Sequence, residues 1–367
     1  MDAKIQLFCH SLRISQKKCI FAHKLHNNMK QPANIDIAVL ILFFNRPEQL
    51  KGVFNEVKKA RPSKLFLYQD GPRGEKDMAG IKACREIVDD IDWECEVHRL
   101  YQEKNFGCDP SEYISQKWAF SMADKCIVLE DDDIPSQSFF PFCKEMLEKY
   151  ENDQRISMVC GFNYDEKTEG VPYDYFFTTA FAISGWASWR RVIDLWDENY
   201  SFLDDEFNLH QLDVLIKDRK FQQDFIRFCQ YHRTTGKAYY ETIFHAAIFF
   251  NSGLNIVPRV NMINNAGATG EGVHLAGSND DLPKAIRRIF TMGRHELEFP
   301  LKHPKYVIEN VEYKNRMFRI MGWGHPWIKV GRSFEELWIN LRKGNFKRIT
   351  SALINRIRIW TGHSKWD

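Results

Sequence analysis

The chain has 367 residues, 44% of them hydrophobic and 27% charged, with 28 Phe, 13 Tyr and 10 Trp. That apolar content excludes global disorder and suffices for one large α/β domain with appendages. Fifty-one basic residues against 49 acidic ones leave a formal charge of +2, which excludes the overall basic signature of a nucleic-acid-binding protein.

Residues 1–35 carry no sustained period and read as an irregular or weakly helical extension. Lys4, Arg13, Lys17 and Lys18 are scattered there without a secretory apolar core. The longest apolar run, Ile37 to Phe44, has eight residues, against the ~20 that a membrane span needs. The nine cysteines include no C-x-x-C pair, and they read as reduced thiols. A cytoplasmic protein is expected.

From Ile37 the chain alternates between strand and helix patterns. Ile37–Phe44 predicts a strand buried on both faces, and Pro47 opens a helix carrying Leu50, Val53, Phe54 and Val57. Leu65–Tyr68 is the next strand, closed by the turn Gln69-Asp70-Gly71-Pro72. A helix at 78–90 and a strand at Cys95–Tyr101 follow. Ile114, Trp118 and Met122 predict the apolar stripe of another helix. Cys126–Leu129 is a strand, a helix begins near Ser136, and Ile156–Cys160 is a strand again. The order predicts a mostly parallel sheet flanked by helices, with ligands bound beyond the carboxyl ends of the strands. Asn45, Asp70 and Glu130–Asp133 all stand at such ends. Further on, 174–184 is β-prone up to the interruption Gly185–Trp189, 209–231 and 239–250 read as helices, and Leu254–Val257 as a short strand.

Glu130, Asp131, Asp132 and Asp133 place four carboxylates together, which raise one another's pKa or recruit a cation. Oxygen donors at a strand end suit Mg²⁺ or Mn²⁺ shared with substrate phosphates, and a solvated acidic turn before a helix is the alternative. Val128–Pro135 followed by Phe139-Phe140 resembles the metal-binding segment of GT-A glycosyltransferases, the N-acetylglucosaminyltransferase I-like bacterial group above all. Phe43–Pro47, Gln69-Asp70-Gly71, Lys104–Cys108, Gly185–Arg190, Asn251–Pro258, the stretch from Asn265 to His274 and Phe299–Pro304 resemble further segments of that family in the same order.

The resemblance spans about residues 37–305 and implies a GT-A, Rossmann-like fold. It also implies a nucleotide-diphospho-sugar donor, most simply a UDP-sugar. Asp132 would ligate Mn²⁺ or Mg²⁺, Asp131 would meet the ribose or donor sugar, and Glu130 a donor hydroxyl. Asp70 would accept a hydrogen bond from the base or ribose, and Arg46 would pair with phosphate. Asn45 and Asn105 either bind the donor or satisfy turns. Trp186 either offers an apolar platform to the sugar or acceptor or belongs to the core. The family's catalytic base, usually an aspartate twelve positions before the Gly of an Asn-Asn-Gly-like turn, falls on Glu241 when counted back from Gly253. Asp197, Asp204 and Asp205 compete for that role, and His274 reads as a metal or phosphate contact or as a satisfied loop histidine.

Residues 337–367 hold seven cations against one acid, with Phe346, Ile349, Leu353, Ile357 and Trp360 near helical spacing. An interfacial helix on anionic lipid and a terminal helix packed on the core both fit. The whole reading divides the chain into the extension at 1–35, a transferase domain at 36–305 and a basic amphipathic helical region at 306–367. The domain comprises a nucleotide-binding half (36–160) and an acceptor half (161–305). It predicts glycosyl transfer to a glycan or lipid-linked acceptor of the cell envelope, peripheral at a membrane and without nucleic acid. An inactive carbohydrate-binding relative and a sugar nucleotidyltransferase are the competing functions.

Overall fold

The structure, a computed structural model, describes residues 30–267, 279–346, 349–351 and 354. His274 lies outside the described residues, as do residues 1–29 and Leu353, Ile357 and Trp360 with most of the terminal cations.

Among the described residues ten strands are formed: β1 (Ile35–Phe43), β2 (Pro62–Gln69), β3 (Glu96–Tyr101), β4 (Lys125–Glu130), β5 (Asp133–Pro135), β6 (Ile156–Cys160), β7 (Tyr175–Thr178), β8 (Trp186–Trp189), β9 (Leu254–Pro258) and β10 (Ile263–Asn265). Eight of them make one sheet in the order β3-β2-β1-β4-β8-β6-β9-β7. β1 pairs parallel with β2 and β4, β2 with β3, and β6 with β9, while β8 and β7 run antiparallel to their neighbours. β5 and β10 form a separate antiparallel pair. The result is a mixed α/β, Rossmann-like architecture with a large, mostly parallel sheet. The chain winds outward from β1 through β2 to β3 and then returns to the other side of β1 as β4. The gap beyond the carboxyl ends of β1 and β4 is therefore a topological switch point, where such sheets bind ligands.

Helices cover the sheet: α1 (Pro47–Ala60), α2 (Met78–Val88), α3 (Cys108–Met122), α4 (Phe139–Lys149), α5 (Arg190–Ile193), α6 (Glu206–Leu215), α7 (Arg219–Thr235), α8 (Tyr240–Phe250), α9 (Lys284–Thr291), α10 (Val311–Met321) and α11 (Pro326–Arg342). Pro47 begins α1 where its missing N–H is harmless, and Leu50, Val53, Phe54 and Val57 are buried on the sheet. The cysteines among the described residues are free thiols, as expected. The single helix expected at 209–231 is instead α6 and α7, divided where the Asp218 side chain accepts the Phe221 N–H and starts a new helix.

Two expectations about packing are corrected. Gly185–Trp189 does not interrupt the β structure, because Trp186–Trp189 is the central strand β8. In α3 the buried face is Ser111, Glu112, Ser115, Gln116, Ala119 and Phe120, whereas Ile114 and Trp118 are half-buried and Met122 is exposed. Ile114 and Trp118 still pack against the core, so the apolar periodicity marked only part of the buried surface of that helix.

No described helix is long and apolar enough to cross a membrane. In α11, however, Trp327, Val330, Phe334, Leu337, Trp338 and Leu341 share one face, and Trp327 and Trp338 are 83% and 67% exposed. This apolar stripe precedes the one expected from Phe346 onward, and it faces solvent rather than the core.

Candidate functional site

The loop after β1 is short: Phe44, Asn45 and Arg46 lead straight into α1. Because β4 is the neighbour of β1, its own carboxyl-end turn meets Arg46. The Arg46 guanidinium donates to Asp131 through Nε at 3.2 Å and through Nη2, and Nη2 lies 3.0 Å from Asp132 Oδ2. Burial works against the arginine's charge, and Asp131 and Asp132 outweigh it, so its pKa is raised. Burial also pushes the Asp131 carboxyl up to about 6, Asp132 adding to the rise and Arg46 opposing it.

The four adjacent acids have separate surroundings. Asp133 is a structural tie: it accepts the Gly185 N–H at 2.8 Å and the Asn265 side-chain amide at 3.4 Å, joining the turn to β8 and β10. Gly185 holds φ +60°, and a Cβ there would lie 2.5 Å from Ile263, so only glycine suits this approach. Asp132 Oδ1 is buried without a hydrogen-bond partner, and its main-chain carbonyl accepts the Ala266 N–H at 2.8 Å. A Cβ on Gly267 would stand 2.5 Å from Asp132 Oδ2, so the backbone after β10 crosses directly over that carboxylate. An unpartnered buried carboxylate oxygen is unfavourable unless a ligand completes it, and an oxygen-seeking Mn²⁺ or Mg²⁺ fits this donor. Glu130, half-buried at the strand end, has its pKa raised by desolvation and then by Glu112.

Asp70 serves the loop that surrounds it. Its carboxylate accepts the N–H groups of Gly71, Phe106 and Gly107 and the Asn105 side-chain amide, at 2.8–3.0 Å. Asn105 also donates to the Gly71 carbonyl at 2.8 Å. Of the alternatives open for Asn105, turn satisfaction is what the structure shows, and Asp70 shares in it. Asn45 donates to Asp77 at 2.8 Å, and Arg73 holds Asp77 down to about 2. Trp186 is not a platform. Its ring, 1% exposed, stacks on Phe120 and Tyr240 and touches Phe244, leaving no face for a sugar.

Glu241 stands in the first turn of α8, packed against α3. Burial, with Asp109 contributing, raises its pKa to about 7. His245, one turn along, does not pair with it. The imidazole is stacked between Phe181 and Phe249, at centroid distances of 5.0 and 4.5 Å, and burial lowers its pKa to about 3. The rival carboxylates serve local structure: Asp205 caps α6, Asp197 accepts from Ser201 and Asn199, and Asp204 pairs with Arg233.

Sequence reasoning missed Glu112. It is buried on α3, receives the Cys108 thiol at 3.4 Å, and its pKa is raised well above the carboxylate range by burial and then by Glu241. The polar run Ser111, Glu112, Ser115, Gln116 was its only trace in the sequence, and such a stripe ordinarily marks a solvated face.

The fold and site together define a Rossmann-like α/β protein with an acidic, arginine-bearing turn at its switch point. No protein-family model matches the chain, and no curated protein matches it. Among solved structures, an inositol-1-phosphate CTP transferase from T. maritima is similar at 9% identity and a TM-score of 0.34, over 70% of this chain and 96% of that one. A cytidylyltransferase from Leptospira borgpetersenii has 11% identity and a TM-score of 0.27, over 44% of this chain and 63% of that one. A 4-diphosphocytidyl-2C-methyl-D-erythritol synthase from Anaerococcus prevotii has 7% identity and a TM-score of 0.26, over 43% and 74%. These likenesses are distant, and the assignment of the fold rests on the strand order itself.

Proposed function

We propose that the protein is a metal-dependent, inverting glycosyltransferase of the GT-A kind, taking a sugar from a nucleotide-diphospho-sugar such as a UDP-sugar. The observation that carries this reading is the convergence of Arg46 with Asp131 and Asp132, whose Oδ1 is buried and unpartnered, at the switch point. Asp132 would hold Mn²⁺ or Mg²⁺, and that ion, when bound, supplies a Lewis acid to the leaving diphosphate. Arg46 is the cation that can turn from the carboxylates to a phosphate. Glu130 and Asp131 line the donor side, while Asp70, Asn105 and Asn45 hold its rim.

Glu241 acts as the base. It removes the acceptor hydroxyl's proton while that oxygen bonds to the anomeric carbon, and the electron pair of the broken C–O bond leaves with the diphosphate. Nucleotidyl transfer is the second reading. The three-residue link between β1 and α1 leaves it no Gly-rich, basic phosphate loop. The test is calorimetric titration of UDP, GDP and CTP with Mn²⁺ and with EDTA, repeated on Asp132→Ala. Metal-dependent UDP or GDP binding, lost in the variant, is expected. Preference for CTP favours nucleotidyl transfer, and binding of none favours a non-catalytic carbohydrate-binding protein.

The exposed α11 stripe supports a peripheral membrane position close to a lipid-linked or cell-envelope glycan acceptor. Co-sedimentation with anionic phospholipid vesicles is expected for the parent chain and not for Trp338→Glu, and equal sedimentation of the two excludes this role for the helix.

A further inference from the structure

The donor site leaves a second acidic cluster unexplained. Asp109 and Glu112 lie one turn apart on α3, and Glu241 faces them from α8. One carboxylate oxygen from each comes within 4.8 Å of the other two. Among the described residues no lysine or arginine forms an ion pair with any of the three, in contrast to Asp131 and Asp132 with Arg46.

Two buried oxygens at the cluster lack partners. Glu112 is 8% exposed, and its Oε2 accepts no hydrogen bond. Tyr240 is 0% exposed, its hydroxyl has no partner, and the charge acting on it most strongly is that of Glu112. Buried polar atoms left unsatisfied are unfavourable, so a ligand that completes Glu112 Oε2 would relieve that cost. Three hard oxygen donors at this spacing match a divalent cation such as Mg²⁺, Mn²⁺ or Ca²⁺, whereas a zinc site would draw on nitrogen or sulfur.

We propose that Asp109, Glu112 and Glu241 form a second divalent-cation site, distinct from that of Asp132. The site itself does not depend on the transferase reading. Its role does: under that reading the cation draws in the acceptor hydroxyl, and Glu241, which gives one oxygen to the ion, keeps the other for the proton.

The full chain is titrated with Mn²⁺, and free ion is counted by electron paramagnetic resonance. Two ions per chain are expected for the parent, one for Glu112→Gln, one for Asp132→Ala, and none for the pair of substitutions combined. Because burial raises the pKa of the Glu112 and Glu241 carboxyls, the binding heat should also vary with the buffer's ionisation enthalpy, and less so in Glu112→Gln. Asp109→Asn, at the half-buried rim, repeats the count should Glu112→Gln fail to fold. One ion in the parent, two retained in both α3 variants, or loss of the same ion in Glu112→Gln and Asp132→Ala overturns the proposal. Two ions without nucleotide binding would defeat the transferase reading alone, and nucleotide binding with a single ion would defeat the second site alone.

Discussion

Two acidic clusters carry the candidate site, and they are handled oppositely. At the β4 turn, Asp131 and Asp132 share the Arg46 guanidinium. Between α3 and α8, Asp109, Glu112 and Glu241 have one another for neighbours, and burial drives the Glu112 and Glu241 carboxyls toward their neutral forms. The difference follows from connectivity. β1 and β4 are adjacent strands, so the residue after one can neutralise the acids after the other. α3 and α8 bring acid against acid. Under the proposed reading, the paired cluster exchanges its arginine for a ligand's charge, and the unpaired one holds protons or a cation.

The largest expected effect falls on the unpaired side. Glu241→Gln removes the only proton acceptor assigned to the acceptor hydroxyl, and kcat should fall by about 10²–10⁴-fold with metal-dependent nucleotide affinity unchanged. A fall in affinity together with kcat would place Glu241 in donor binding instead.

On the paired side, Arg46→Ala strands the buried Asp131 carboxylate. Chemical denaturation should show a loss of roughly 3–5 kcal/mol, the range for breaking one half of a buried pair. Adding Asp131→Asn should restore part of it, and an additive double variant would break the comparison.

The smallest effect should be that of Glu112→Gln without metal, because this carboxyl has no cation to lose. Its folded pKa lies above the usual 4.5, so its contribution is fully present below that value and declines as pH rises through the folded one. Glutamine fixes the neutral form. In EDTA the variant should therefore match the parent near pH 4 and become the more stable of the two as pH rises. A gap that narrows with pH would mean that Glu112 is ionised and partnered in the folded chain.

Much of the first half was legible because its signals are local. Continuous apolar runs such as Ile37–Phe43 lie within sheet strands, and the polar ends Asn45, Asp70 and Glu130–Asp133 fall at the carboxyl edge where alternating β and α units place them. Trp186 was misjudged and Glu112 missed for one shared reason. A strand or helix pattern shows which residues share a face, but which neighbour covers that face is decided elsewhere. Trp186 is enclosed by Phe120, Tyr240 and Phe244, from parts of the chain distant in sequence. The polar side of α3 turned inward because α8 packs over it.

The amino-acid sequence by itself determined the strand-helix alternation, the switch-point edge and the run of four carboxylates, since these depend on residues within a few positions of one another. Only the tertiary structure decided how those carboxylates divide: Asp131 to Arg46, Asp133 to Gly185 and Asn265, and Asp132 with one oxygen unpartnered. It alone decided that Glu241 meets Asp109 and Glu112 across a helix interface. Charge pairing, hydrogen bonding and desolvation act through space, between residues that the sequence separates by 52 to more than 130 positions.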